Sequence, residues 1–153
     1  MRFDPRSSTF KRRLLDLKPG ERMFAAHLSS DFVLPRDVHQ KLAFVAGGIG
    51  VTPFASMIRQ LLRDQDKRPI VVLYSASTPG DIAYADLLDD ASEQLGIRIV
   101  YTLTDPTSVP ADFRERTFYL SGSQRMVSGV KEALKHVGVS GSRVKTDYFP
   151  GYD

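Results

Sequence analysis

The sequence predicts an α/β fold: a doubly wound, mostly parallel five-stranded sheet with helices on both faces, plus a short N-terminal β remnant. Three observations predict it. From Lys41 onward, near-continuous apolar runs alternate with segments whose apolar residues recur at helical spacing, the pattern of a parallel sheet covered on both faces. Glycine, serine or proline follows each run where a helix is to begin, as a strand-to-helix turn requires. At 153 residues and 42% hydrophobic, the chain can bury one good core and would be cramped as two full domains.

Residues 1–41 are patterned differently. Pro5, Pro19-Gly20 and Pro35 punctuate short segments, and Arg22 to Leu28 followed by Phe32-Val33-Leu34-Pro35 reads as two short strands around a turn. This is too little to close a barrel or sandwich. The segment is either an arm on the main domain or the tail of a domain whose earlier strands lie outside this chain, so we divide the chain into 1–37 and 38–153. A strand edge left unpaired over 22–34 favours a homodimer or another partner.

The main domain opens with the stretch Leu42 to Pro53, a buried strand running into a glycine turn and then a helix. Thr52 is the expected N-cap and Pro53 the first helical residue, where its missing N–H costs nothing. Phe54, Met57, Ile58, Leu61 and Leu62 follow at i, i+3, i+4, i+7 and i+8, one stripe facing the sheet. Residues 69–75 form a second strand, 77–81 a turn and N-cap region, and a second helix places Tyr84, Leu87, Leu88, Ala91 and Leu95 inward before Gly96 ends it. Residues 97–104 alternate as a third strand, and 105–116 make a loop with one helical turn. Thr117 to Leu120 is a fourth strand. Ser121-Gly122-Ser123 then opens a helix with Met126, Val127, Val130, Leu134 and Val137 inward and Gly138 at its end, and 143–149 is the last strand.

Composition narrows the chemistry. The absence of cysteine excludes a disulfide framework, a thiolate nucleophile and an iron–sulfur cluster on this chain. Three scattered histidines suggest no metal site. No apolar run is long enough to span a membrane, and the N-terminus lacks the apolar core of a signal peptide, so the expected location is cytoplasmic. The net charge of +3 is concentrated at the start, where residues 1–41 hold nine Lys and Arg against five Asp and Glu. Lys11-Arg12-Arg13 lacks the interleaved aromatics of a nucleic-acid surface, and no nucleic-acid partner is expected.

In a doubly wound sheet the strand C-terminal ends share one edge, and ligands bind there where the strand order reverses. Three loops meet at that edge: 46–52, 75–81 and 121–125. In the first, Gly47, Gly48 and Gly50 give three glycines within four positions, more than a tight connection needs. The helix that follows leaves its first N–H groups unpaired, and a pyrophosphate fits such a cradle best. The usual G-x-G-x-x-G fingerprint fails, because Pro53 stands where the third glycine belongs. The second loop offers Ser75, Ser77 and Thr78 near an adenosine ribose, with no charge until Asp81, so NAD and NADP are both open. Ser77 or Thr78 serving only as a helix cap is an equal reading. In the third loop Ser121, Gly122 and Ser123 are small enough for a planar ring to lie against the sheet edge, or serve simply to cap a helix. No nucleophile with its base stands out, which suits hydride transfer, where the cofactors carry the chemistry.

These residues together resemble the NAD(P)-binding domain of the ferredoxin–NADP⁺ reductase superfamily over almost the whole chain. Ala46 to Pro53 is similar to its G-G-x-G-x-T-P pyrophosphate motif, which implies that Gly47, Gly48, Gly50, Val51, Thr52 and Pro53 hold the pyrophosphate. Tyr74 to Asp81 is similar to the adenosine-side loop, with Ser77 where many members carry arginine. Tyr119 to Val127 is similar to the C-G-P…M segment at the nicotinamide, with Ser121 for the usual cysteine or alanine and Ser123 for proline. The resemblance implies that Ser121, Gly122, Ser123 and Met126 border that ring, Ser121 in the catalytic position. Residues 143–152 are similar to the C-terminal strand and aromatic tail of bacterial members.

Residues 7–35 resemble only the last third of the family's flavin barrel, with Ser8, Thr9 and Tyr152 as flavin-facing remnants. The early strands and the R-x-Y-S/T flavin motif are missing, so FAD has little to hold it on this chain alone. The resemblance implies an NAD(P)H-binding domain that presents nicotinamide to a flavin, complemented by a flavin-domain or electron-carrier protein. The alternative is a non-catalytic nucleotide-binding or partner-binding module that has lost the flavin domain.

Overall fold

A computed structural model of the chain describes residues 9–23, 32–76, 78–102 and 110–148. Two compact units result, Met1–Ser30 and Asp31–Asp153. In the first, Thr9–Asp16 forms a helix, α1, followed by a turn in which the Lys18 amide donates to Glu21 Oε2 at 3.4 Å. The short strands expected over 22–35 are not found in the described part. Arg22 and Met23 lack regular structure, residues 24–31 lie outside the described residues, and Phe32 to Pro35 pairs with no described strand. Other partners claim that last segment. The Phe32 ring meets Phe54 at 5.7 Å and Tyr119 edge-on at 5.2 Å, and the Tyr119 hydroxyl donates to the Val33 carbonyl at 2.7 Å.

The second unit holds five strands: β1 (Leu42–Gly47), β2 (Ile70–Ser75), β3 (Arg98–Thr102), β4 (Thr117–Gly122) and β5 (Val144–Tyr148). They stand in the order β3-β2-β1-β4-β5, and every neighbouring pair is parallel. Successive side chains along a strand point to opposite faces, and both faces are filled. Leu42, Phe44 and Ala46 of β1 face α2 (Val51–Asp64) and α3 (Ala85–Leu95), packing against Phe54, Ile58, Leu61, Leu88 and Ala91. On the other face Ala43, Val71, Phe118 and Leu120 meet Val127 and Leu134 of α4 (Gln124–His136). The doubly wound sheet is therefore as the apolar pattern predicts.

Helix ends differ from expectation at four residues. The turn Gly48–Gly50 is already a 3₁₀ coil stacked on α2, so Gly50 is the N-cap and Thr52 lies inside the first turn, its hydroxyl donating to the Ile49 carbonyl at 3.0 Å. Pro53 stays within that turn, where no N–H is needed. Tyr84 does not join the inward face of α3. It precedes the helix in a left-handed conformation (φ 62°), 38% exposed, with the Arg59 guanidinium 5.3 Å from its ring centre. Thr78 does not cap α3 either, since its hydroxyl donates to Asp81 Oδ2 at 2.8 Å inside a separate 3₁₀ turn, Pro79–Asp81. Val137 closes α4 and points outward, because Gly138 (φ 88°) reverses the chain and lets Val139 take the buried place.

The N-terminal edge of the sheet is clasped by charge. Arg116 donates to the Leu42 carbonyl at 2.9 Å and the Pro69 carbonyl at 3.1 Å, while its other nitrogens grip Asp112 at 2.7 and 3.0 Å. Lys41 adds Asp112 at 3.1 Å and Glu115 at 2.6 Å, and Gln40 donates to the buried Thr117 hydroxyl at 2.7 Å. The opposite edge carries the glycines.

Candidate functional site

The chain builds outward from β1 to β3 on one side, then crosses to β4 and β5 on the other, so the order reverses between β2-β1 and β4. Gly47 pairs with Ser75 across β1 and β2, and Ala46 with Ser121 across β1 and β4. At this edge lies a cleft of about 640 Å³, lined by Gly47, Gly48, Ile49, Tyr74, Ser75, Ala76, Asp81, Ala83 and Met126. Its size suits a small-molecule ligand.

The three glycines of the turn have three different reasons to be glycine. Gly48 takes φ +52°, and a Cβ there would meet nothing within 4 Å, so its cause is the left-handed backbone beside open space. Gly50 has an ordinary φ of −59° but lies where a Cβ would overlap the Ser121 carbonyl, so the start of α2 rests directly on the β4 backbone. Gly47 makes way for the Met126 side chain, since a Cβ on it would crowd Met126 Cε at 3.2 Å. The first amides of the stacked coil have no acceptor within it, and the helix dipole makes that end attractive to an anion.

Around this turn the expected site residues divide. Gly47, Gly48, Ser75 and Met126 line the cleft, and Gly122 stands behind Met126, where its Cβ would lie 3.2 Å from Met126 Sδ. Gly50 and Val51 are buried, and Pro53 lines a separate hollow between α2 and residues 32–36. Ser123 caps α4, its hydroxyl accepting from the Met126 amide at 3.3 Å. Ser121 is fully buried, and its Oγ has no hydrogen-bond partner among the described residues. Thr9 begins α1 in the first unit, while Ser8, Ser77 and Tyr152 lie outside the described residues.

Cleft residues that sequence reasoning passed over are Ile49, Tyr74, Ala76, Asp81 and Ala83. Asp81 was visible as the first charge after the second strand. What holds it was not: the buried Tyr74 hydroxyl accepts from the Ala83 amide at 3.2 Å and reaches the Asp81 carbonyl at 3.5 Å, pinning this loop against the cleft. No lysine or arginine lines the cleft among the described residues.

Comparison with known proteins gives a consistent setting. Residues 44–143 match the family model described as oxidoreductase NAD-binding domain. A flavohemoprotein of Candida albicans is 29% identical over 159 residues, covering 90% of this chain and 39% of that protein. NADH-cytochrome b5 reductase 1 of Emericella nidulans is 25% identical over 154 residues, covering 85% of this chain and 50% of its own length. Among solved structures, the flavohem-like FAD/NAD-binding domain of nitric oxide dioxygenase from Vibrio cholerae superposes with a TM-score of 0.69 at 19% identity, over 79% of this chain and 55% of that one. The chain spans half or less of the length of these two relatives. Among the described residues, no helix is long and apolar enough to cross a membrane.

Proposed function

Because the chain belongs to the oxidoreductase NAD-binding domain family, within the ferredoxin–NADP⁺ reductase superfamily, we propose that it binds reduced nicotinamide dinucleotide and presents it to a flavin. The observation that carries this reading is Gly48: a left-handed glycine over open space at the start of α2, at the edge where the strand order reverses. A pyrophosphate at that point accepts from the first amides of the coil, with no Cβ in its way. The dinucleotide then spans the cleft, adenosine on the β2 side and nicotinamide on the β4 side. When bound, the nicotinamide supplies a hydride at C4 to the flavin of a second domain or polypeptide. The chain's own residues bind, orient and keep water from the ring. Ser121, buried under the Gly50 contact, acts through the shape of that floor.

The adenosine side favours NADH over NADPH. Asp81 is the charged side chain on the cleft, and its carboxylate accepts from a ribose 2′-hydroxyl but repels a 2′-phosphate. Calorimetric titration tests both statements. NADH is expected to bind more tightly than NADPH, and Asp81→Asn to narrow the ratio by roughly tenfold, the value of one charge-assisted contact. Equal affinities in the wild type would overturn the preference, and no binding of either nucleotide at millimolar concentration would overturn the function.

A further inference from the structure

The nicotinamide end of the cleft is already occupied by the protein itself. Gly47 and Gly122, at the ends of the neighbouring strands β1 and β4, form a notch without side chains, and Met126 fills it. A Cβ on Gly47 would meet Met126 Cε at 3.2 Å, Cγ at 3.4 Å and Sδ at 3.6 Å. On Gly122 it would meet Met126 Sδ at 3.2 Å and the Gly47 carbonyl at 3.3 Å. Gly48, one residue along, faces open space. Two of the glycines at this edge therefore seat a methionine rather than a ligand.

Resting on the dinucleotide reading above, we propose that Met126 is a movable plug that occupies the nicotinamide seat in the free protein and swings out when the ring binds. Three features make it movable. Its backbone is fixed at the start of α4 by the Ser123 hydroxyl, so only the side chain needs to turn. That side chain is half-buried and borders the cleft. It is unbranched with three rotatable bonds, so it changes rotamer at small cost while the backbone stays in place. The β2 end of the cleft, lined by Ser75 and Asp81, has no such occupant among the described residues. The adenosine half enters a formed seat, and the nicotinamide half must displace Met126.

ADP-ribose, which keeps every part of the dinucleotide except the ring, separates the two halves. Calorimetry on the full chain is expected to show that Met126→Ala raises the ratio of NADH to ADP-ribose affinity by roughly tenfold, the scale set by burial of one methionine side chain. A ratio that falls or stays the same would overturn the plug. A second measurement needs no folded alanine variant: the wild-type chain with ¹³C-methyl methionine shows four methyl signals, that of Met126 being the one lost in Met126→Leu. Saturating NADH is expected to move this signal to the position of an exposed methionine, while ADP-ribose leaves it in place. A Met126 signal unmoved by NADH overturns the proposal. Failure of the wild-type chain to bind ADP-ribose overturns the nucleotide reading, and the plug with it.

Discussion

Glycine at position 50 and glycine at position 48 answer to different forces, and substitution separates them. Gly50→Ala drives a methyl group into the Ser121 carbonyl, backbone against backbone, with no flexible side chain to give way. We expect it to cost about 3 kcal/mol or more in urea denaturation. Gly48→Ala meets no atom but must hold a left-handed backbone, at about 1–2 kcal/mol. That protein is expected to fold, and to bind ADP-ribose more weakly because the new methyl group stands where the proposed function puts the pyrophosphate. The glycine-rich stretch was legible in the sequence as a turn from strand to helix, but the separate reason for each glycine was not. For Gly50 and Gly47 those reasons are Ser121 and Met126, which come from β4 and α4, and no local pattern announces a contact across such a separation. Thr52 shows the same limit at short range: a hydroxyl before a proline reads as a cap until the preceding 3₁₀ turn is known to continue the helix.

At the scale of elements, the strands and the helices α2, α3 and α4 were readable because apolar residues have nowhere else to go. Boundaries were less so. Tyr84 and Val137 fit the inward stripe by spacing alone, but each stands where the backbone leaves the helix, and the stripe stops with it. Nothing in the pattern revealed the Arg116 clasp, whose carbonyl partners belong to Leu42 and Pro69. Replacing Arg116 with Met removes its bonds to those carbonyls and leaves Asp112 with Lys41 alone, and about 2–3 kcal/mol of stability is expected to be lost in denaturant titration. The same clasp sets an acid response. The Arg116 hydrogen bond, helped by Lys41, holds the Asp112 carboxyl below its ordinary value. A group with a depressed folded pKa contributes fully above its unfolded pKa, near ~4, and loses that contribution as pH falls through the lower folded value. The wild-type Tm is therefore expected to drop as pH falls below about 4, and Asp112→Asn to start lower and flatten that part of the profile.

Across the whole molecule, the sheet and its cleft belong to the unit Asp31–Asp153. A chain beginning at Asp31 is expected to keep ADP-ribose binding, read as a rise in Tm with ligand; at a hundredfold excess over Kd the added stability is about 2.7 kcal/mol. Loss of binding on removal of residues 1–30 would place part of the site in the first unit. One contact inside the larger unit reaches further than its size suggests. Gly50 joins α2 to β4 with no side-chain layer between them, so the start of the helix cannot slide along the sheet. The loop after β2 is different, being pinned through the Tyr74 hydroxyl and closed on itself by the bond from Thr78 to Asp81 rather than by backbone packed on backbone. In the proposed binding mode, a lineage built on this domain exchanges one dinucleotide for another by rewriting a single loop, while the turn assigned to the part that all dinucleotides share is inherited unaltered.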